Sequence, residues 1–549
     1  MAESEVASQA RPRVADAVLR AQAEDRTERT EVKFEPGPTV LARFGESLLR
    51  VAQANQVPLE SGCRMGLCGA DPVRILMGQQ NISPPTAGER MTLKRLGLPA
   101  DCRMACTARV HGPLTVSPGL DIEREHQPAV AARPLAGVAA ARASADVRRV
   151  IVVGNGVAGV TAAVELRELS SSLDITVLGD EPYDFYNRMI INQVMTEELA
   201  IRQLYLMPND WAETRRIQYR RGVAASWINT DHREVVTQDG EALPYDRLIL
   251  ATGARPFMPD IGGLDLGGSF VMRTIDDAVQ VQQHIRRRRC RTAVVIGGGL
   301  LGLETAFSLT QLGVRVFVLD LASWPLSRQL DRAAGALVWQ MMSDLGIKIL
   351  PQVEARRVLG ERWVEAVELS NGQTLSADVC LVTAGIRPNV ALAQSAGLLV
   401  RRGVIVDARM RTSDPRIFAA GDVAEYSDRI LGLWPAATEQ ARVAVQNLLG
   451  NDYIYPGTTP PTRLKVAGIE MLSAGELGAA QDNGHDVRID DGAARQYRRL
   501  SLVGGRVRGA ILIGHVDLAE PVAAAVERQL EVGHLLPRLE AGDWSALAA

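Results

Sequence analysis

Apolar positions along the chain recur with different spacings in successive stretches. Residues 1–30 are polar and mixed in charge, and read as a flexible N-terminal segment. From Glu31 the spacing becomes that of a folded unit. EVKFEP alternates like a strand, and ARFGESLLRVAQANQV sets Leu48, Leu49, Val51 and Ala52 on one face of a helix. PLTVSP, near residue 115, is a closing strand. Residues 119–147 are rich in Ala, Arg and Pro and read as a linker. From residue 148 to about 455, continuous apolar runs alternate with helical stretches: VIVV, DITVL, RLILAT, TAVVIG, VRVFVLD and VCLVTAG. Such runs predict a parallel sheet covered on both faces. Residues 456–549 change again, to strand-like LKVAGIEML and QYRRLSLVGGRVRGAILIG followed by amphipathic PVAAAVERQLEVG, a small α+β domain.

Composition narrows the function classes. The chain has 549 residues, 46% hydrophobic and 23% charged, as expected of a multidomain globular protein. A formal charge of -3 gives no reason to expect a nucleic-acid partner. No apolar run approaches the roughly 20 residues of a membrane span, and the N-terminus lacks the apolar core of a secretory signal. A cytoplasmic location is expected. Four of the six cysteines fall between Cys63 and Cys106. In a chain of this size a local cysteine cluster reads as metal or redox chemistry rather than a disulfide scaffold. Cys290 and Cys380 lie in or beside apolar strands and read as small buried hydrophobes. None of the seven histidines forms a metal-spaced pair.

Two motifs carry recognisable chemistry. VIVVGNGVAGVTAAVEL places Gly154-x-Gly156-x-x-Gly159 between a strand and a helix. Gly154 permits the tight turn, Gly156 lets backbone approach a pyrophosphate, and Gly159 lets helix and strand pack closely at a helix N-terminus that favours anions. Asp180 and Glu181 follow at the end of the next strand, where a carboxylate accepts from ribose hydroxyls. AVVIGGGLLGLETAFSL repeats the unit with Gly297, Gly299 and Gly302, and its following strand ends in Asp320. One such motif is weak evidence; two copies, each framed by strand, helix and distal acid, point to two bound dinucleotides.

With these motifs, LILATGARP (Thr252, Gly253, Arg255), VTAG (Gly385) and IFAAGDVAE (Gly421, Asp422), the chain resembles the FAD/NAD(P) pyridine nucleotide oxidoreductases. The resemblance implies FAD at the first glycine motif, and NADH at the second in an inserted domain of about 265–390. It also implies that Asp422 holds the ribityl chain, and it assigns Glu304 and Gly385 to the nicotinamide side. Asp320 favours NADH over NADPH, because its carboxylate repels a 2′-phosphate. The arginine run 286–289 precedes its strand and reads as a solvated helix end. DEPYDFYNRMI, SRQLD and TRLKVAGIEMLSAG are similar to the flavoprotein half of NADH-dependent assimilatory nitrite reductases and to rubredoxin and ferredoxin reductases. By that likeness Arg188 contacts FAD, with Tyr186 and Asn187 beside it. Many ferredoxin reductases carry a lysine where this chain has Gln193, so a Lys–Glu pair with Glu304 is not expected. No CxxxxC follows the first motif, which argues against disulfide reduction. The siroheme-binding half is absent, so this chain alone is not expected to reduce nitrite.

SGCRMGLCGAD begins a third motif. Cys63-x4-Cys68 fits the plant-type ferredoxin spacing, but Asp71 stands at the third ligand position. Cys102 and Cys106 follow. Residues 31–118 resemble a β-grasp [2Fe–2S] ferredoxin domain, with Cys63, Cys68, Cys102 and Cys106 as ligands favoured on thiolate softness and Asp71 as the alternative. Spacing alone also suits zinc, and a domain that has lost its cluster stays open. The leading expectation is an α/β oxidoreductase passing electrons from NADH through FAD to a fused [2Fe–2S] cluster and on to an acceptor protein. That acceptor would be a terminal oxygenase, a cytochrome P450, or a nitrate or nitrite reductase component. Two alternatives are an NADH oxidase or small-molecule reductase with a vestigial N-terminal domain, and an NADH-sensing binding flavoprotein. The C-terminal domain often makes dimer contacts in relatives, and a homo-oligomer stays open.

Overall fold

The computed structural model describes residues 29–55, 57, 59, 71–85, 89–90, 93, 98–118, 147–457, 462–477, 484–515 and 518–548. The chain divides into two compact units, Met1–Gln127 and Pro128–Ala549. The expected N-terminal segment up to residue 28, Cys63, Cys68 and most of the linker lie outside the described residues.

In the first unit, strands β1 (Arg29–Phe34) and β2 (Thr39–Arg43) form a hairpin, and helix α1 (Leu48–Ala54) follows. Strands β3 (Pro72–Met77), β4 (Cys102–Met104) and β5 (Leu114–Pro118) complete a sheet in the order β2-β1-β5-β3-β4. The first strand pairs parallel with the last, Val32 beside Leu114, while β3 runs antiparallel to β4 and β5. This is the β-grasp arrangement. Alternation in β1 turns Val32 and Phe34 inward, where they meet Leu48, Val51, Val73 and Val116. The helix is shorter than its periodicity suggests. Ala42 and Arg43 continue β2, paired with Thr30 and Arg29, and the turn at Gly45 separates them from the helix.

The second unit is built from a repeated α/β pattern. Strand β6 (Arg149–Val153) leads into α2 (Val157–Leu169), then β7 (Asp174–Gly179), β8 (Ile217–Arg221) and β9 (Arg247–Leu250). The chain then crosses through β10 (Ala254–Pro256) to a second lobe. There β11 (Ser269–Val271), α3 (Ile275–Arg288), β12 (Thr292–Ile296), α4 (Leu300–Gln311), β13 (Arg315–Asp320), α5 (Arg332–Asp344), β14 (Ile347–Pro351) and β15 (Val379–Val382) succeed one another. It returns through β16 (Ile386–Pro388), which pairs antiparallel with β10, and β17 (Ile417–Ala419) closes the first sheet. The two sheets have equivalent orders, β17-β9-β6-β7-β8 and β11-β15-β12-β13-β14, and every pairing in them is parallel. Burial on both faces explains the continuous apolar runs: every residue of β15 is buried. Helix α6 (Trp434–Leu448) packs on α2.

The C-terminal part is an antiparallel sheet of β18 (Thr462–Val466), β19 (Ile469–Gly475), β20 (Gly484–Asp491), β21 (Gln496–Val503) and β22 (Arg506–Ile513), ordered β18-β19-β22-β21-β20. Helix α7 (Ala519–Glu527) lies against it. Leu472, Leu500 and Val522 share one core there, whereas Tyr497, Ile511 and Ile513 join the core of the second lobe. The fold is α/β: two Rossmann-like lobes, a β-grasp unit before them and a small α+β domain after them.

Candidate functional site

Each glycine motif makes an open cradle at a helix N-terminus. In the first, Gly154 has φ 114°, and a Cβ on it would sit 2.0 Å from the Ala251 carbonyl oxygen. A Cβ on Gly159 would sit 1.8 Å from the Gly154 carbonyl oxygen, so α2 and β6 approach as closely as backbones allow. A Cβ on Gly156 would meet nothing within 4 Å. Gly156 caps α2 without a side-chain bond, so the first amides of the helix face that open space. The second cradle repeats this geometry. Gly297 has φ 118°, a Cβ on Gly302 would lie 1.9 Å from the Gly297 carbonyl oxygen, and one on Gly299, the cap of α4, would meet nothing within 4 Å. Uncapped amides, a helix dipole and room for a ligand suit a pyrophosphate in both places.

Acidic residues flank the cradles. The Asp320 carboxylate lies against Gly298, where an added Cβ would come within 2.0 Å of Oδ2, and Oδ1 accepts from the Ala322 amide at 3.1 Å. Burial raises its pKa, only partly offset by the Ala322 and Leu321 amides. At the first cradle Asp180 is exposed, and Glu181 is held from two sides. The Tyr186 hydroxyl donates to Glu181 Oε2 at 2.6 Å, and Arg188 forms an ion pair with Oε1. The Arg188 guanidinium also lies 4.8 Å from the centre of the Tyr186 ring. Burial, then Glu181, pushes the Tyr186 phenol well above its ordinary value against the opposing charge of Arg188. Asn187 is buried and accepts from the Met189 amide at 3.0 Å, which fixes the turn that presents Arg188.

Sequence reasoning missed Arg273. Its guanidinium donates to Asp422 Oδ2 at 2.8 Å, and its carbonyl accepts from Arg188 Nη1 at 3.3 Å. Glu181, Arg188, Arg273 and Asp422 thus form one charged chain across the first cradle. Gly421, with φ 81°, brings its turn onto α2, where an added Cβ would lie 3.0 Å from the Ala158 Cβ. The only local hint of Arg273 is its place before a helix start: the Arg273 and Thr274 amides both donate to Asp277 at 2.8 Å.

Other expected residues sit elsewhere. The Thr252 hydroxyl donates to the Asn389 carbonyl at 2.9 Å, and the Asn389 amide donates to the Gly253 carbonyl at 2.9 Å. Arg255 is exposed opposite Arg387, and the Gly385 carbonyl accepts from the Phe257 amide at 2.9 Å. These four residues therefore stitch the two crossings between lobes. Where the Lys–Glu pair is not expected, buried Thr305 donates to Asn192 Oδ1 at 3.3 Å, one position beyond Glu304 and one before Gln193. The arginine run ends α3: Arg286 pairs with Glu197 and Arg288 stacks 4.2 Å from the centre of the Trp363 ring. Cys380 is fully buried and Cys290 partly so.

In the first unit, Asp71 is completely buried. Its Oδ2 accepts the Cys106 amide, its backbone carbonyl accepts the Ala105 amide at 2.8 Å, and its Oδ1 has no partner. Burial raises its pKa against the lowering effect of Cys106. Cys102 is oriented differently. It lies opposite Arg74 in the β3–β4 register, and directly opposed residues share a face. Val73, between Pro72 and Arg74, points into the core against which Cys106 packs. Cys102 therefore projects to the other side of the sheet from Cys106. Glu89 braces the same turn, accepting Arg103 Nε at 2.7 Å, the Met104 amide at 2.8 Å and the Thr107 hydroxyl at 2.8 Å. Among the described residues no group of three or more His, Cys, Asp or Glu is arranged to hold a metal ion, and no helix is long and apolar enough to cross a membrane.

Comparisons with known proteins bear on this geometry. A sequence model of the pyridine nucleotide-disulphide oxidoreductase family matches residues 148–441, and one of the rubredoxin NAD+ reductase C-terminal domain matches residues 460–530. The chain is 33% identical over 387 residues to the NAD(P)H nitrite reductase of Bacillus subtilis (strain 168), covering 70% of this chain and 48% of that one. It is likewise 33% identical over 372 residues to the assimilatory nitrate reductase electron transfer subunit of the same strain, covering 67% and 48%. The chain thus spans about half the length of these curated relatives. Among solved structures, the ferredoxin reductase for the CYP199A2 system from Rhodopseudomonas palustris is 28% identical, with a TM-score of 0.62 over 66% of this chain and 91% of that one. The matched region holds both open cradles, and the chain belongs to the pyridine nucleotide-disulphide oxidoreductase family.

Proposed function

We propose that the protein is an NADH-dependent electron-transfer oxidoreductase that hands electrons to a [2Fe–2S] centre in its own N-terminal unit and on to an acceptor protein. The observation that carries the reading is the pair of open, uncapped cradles in one polypeptide, at Gly156 and Gly299. The α2 amides would receive the FAD pyrophosphate, with Glu181, Arg188, Arg273 and Asp422 around the rest of that cofactor. The α4 amides would receive NADH, with Asp320 accepting from the adenosine ribose. FAD, when bound, takes a hydride from NADH and releases electrons singly, which a one-electron acceptor requires. The residues of this chain orient the two nucleotides and supply the fixed charge around them.

The β-grasp topology and the cysteine spacing are what support a cluster in the first unit; Asp71 meets Cys106 there through the Cys106 backbone amide. Of the two candidate completions, the geometry favours Asp71. It abuts Cys106 and keeps an unpartnered buried oxygen, whereas Cys102 faces Arg74 across the sheet. The bacterial relative named as an electron transfer subunit of nitrate reductase supports a nitrate or nitrite reductase component as the acceptor class. The test is anaerobic titration of the purified protein with NADH, followed by flavin absorbance and EPR, beside iron and sulfide analysis. Flavin bleaching with a rhombic signal of a reduced [2Fe–2S] centre is expected. Bleaching without iron or signal would remove the cluster from the proposal, and bound zinc would replace it.

A further inference from the structure

The segment Leu321–Asp331 joins Asp320 to α5, and it is held along its whole length. At its start the Ala322 amide donates to Asp320. In its middle the Leu326 amide donates to the carbonyl of Gly298, in the second cradle, at 3.3 Å. At its end Asp331 caps α5, its Oδ1 accepting from the Ala334 amide at 3.0 Å. The other oxygen of Asp331 belongs to the C-terminal sheet. It accepts the Tyr497 hydroxyl at 2.6 Å and Arg499 Nη1 at 3.0 Å, both from β21. Beside it, the Ser473 hydroxyl of β19 donates to the Gln329 carbonyl at 2.7 Å. Asp486 Oδ2 accepts Arg499 Nη2 at 3.0 Å, so the guanidinium stands between two carboxylates and is almost wholly buried.

Leu326 has φ 56°, the left-handed region that a leucine adopts only when its surroundings impose it. It is buried, in the same core as Leu330 and Tyr497. The indole of Trp324 adds a tie within the segment, donating to the Leu330 carbonyl at 3.0 Å. The contact with the nucleotide cradle therefore depends on a strained residue, and the restraint comes from a sheet remote in sequence.

We propose that Tyr497 and Arg499 are positioning residues for NADH: through Asp331 they hold the 321–331 segment against the second cradle and so keep Asp320 and Gly298 in register for the adenosine half of the nucleotide. The inference rests on the assignment of NADH to that cradle. Without the latch, Leu326 relaxes and the segment withdraws from Gly298, while the first lobe and its flavin are untouched.

The test compares the full-length protein with Tyr497→Phe, which keeps the ring in the core, and with Asp331→Asn, which keeps an oxygen for the helix cap. Kd for NADH, inhibition by ADP-ribose, flavin content and steady-state rates with an artificial acceptor are measured for each. Kd for NADH and Ki for ADP-ribose should rise together by about fivefold or more, within the range usual for coupling between separate sites. Flavin content and kcat at saturating NADH should change by less than about twofold, a KM effect without a kcat effect. The double variant should lose little more than either single one. Wild-type Kd and Ki in both variants would overturn the latch. A wild-type protein that neither binds NADH nor is inhibited by ADP-ribose would instead overturn the nucleotide assignment on which the latch rests.

Discussion

Two glycines of the first motif respond oppositely to an added methyl group. At Gly159 the Cβ would strike the Gly154 carbonyl at 1.8 Å, so Gly159→Ala should lower stability by about 3 kcal/mol or more with or without flavin, read by chemical denaturation. At Gly156 the Cβ points into the open space of the cradle, where the FAD pyrophosphate would lie. Gly156→Ala should therefore fold normally and be purified largely without FAD, and a fully loaded Gly156→Ala protein would argue against that cradle as the flavin site. The same separation of packing from binding applies to Asp71 and Cys102. If Asp71 is the third ligand, Asp71→Ala should lose most of its iron and its EPR signal while Cys102→Ser keeps both; the reverse pattern would restore the four-cysteine set. The glycine positions were legible in the sequence because that motif is local, its residues fixed by strand, turn and helix over fewer than ten positions. Arg273 was not. It meets Asp422 across 149 positions, and no local spacing announces an ion pair of that reach.

At the scale of elements, the parallel strands were readable because burial on both faces leaves an unbroken apolar run. Strand β20 escaped notice because only Val487 in it is buried. The helix at Leu48 was read too long because Ala42 and Arg43 belong to an edge strand that is separated from the helix only by the short turn at Gly45. One inter-strand tie has a pH consequence. Asp246 accepts the Arg148 and Arg149 amides at 2.9 and 2.8 Å and the Arg149 side chain at 2.9 Å, joining the starts of β6 and β9. Burial alone would raise its pKa, but these donors outweigh burial and hold it at about 2. A carboxylate depressed in the folded state contributes its full stability above the ordinary pKa of about 4 and loses it as pH falls through the folded value. Stability should thus decline between about pH 4 and pH 2. Asp246→Asn should be less stable at neutral pH and show a shallower decline over that window, measured by thermal unfolding across the pH series.

For the whole molecule, two equivalent sheet orders in one chain explain why doubled motifs were enough to anticipate the architecture: each lobe is the same solution to covering a parallel sheet. The C-terminal latch on Asp331 was not legible, because it joins side chains that become neighbours only once the second lobe and the C-terminal sheet have packed. The covalent link between the two compact units has its own kinetic consequence. If the cluster is served by the flavin of the same chain, NADH-driven reduction of the cluster is unimolecular. If residues 119–147 act as the linker their composition leads one to expect, a tether of about 30 residues would hold the reacting groups at an effective concentration in the millimolar range. Micromolar protein in solution cannot compete with that supply. The first-order rate of cluster reduction, followed by stopped flow under anaerobic conditions with saturating NADH, should therefore stay constant when protein is diluted about a hundredfold. Adding flavin-loaded Asp71→Ala protein, which would supply reducing flavin without a competing cluster, should not accelerate it. A rate that falls in proportion to dilution would mean that one copy reduces another, and the N-terminal unit would then be an acceptor presented to its neighbours rather than an outlet for its own flavin.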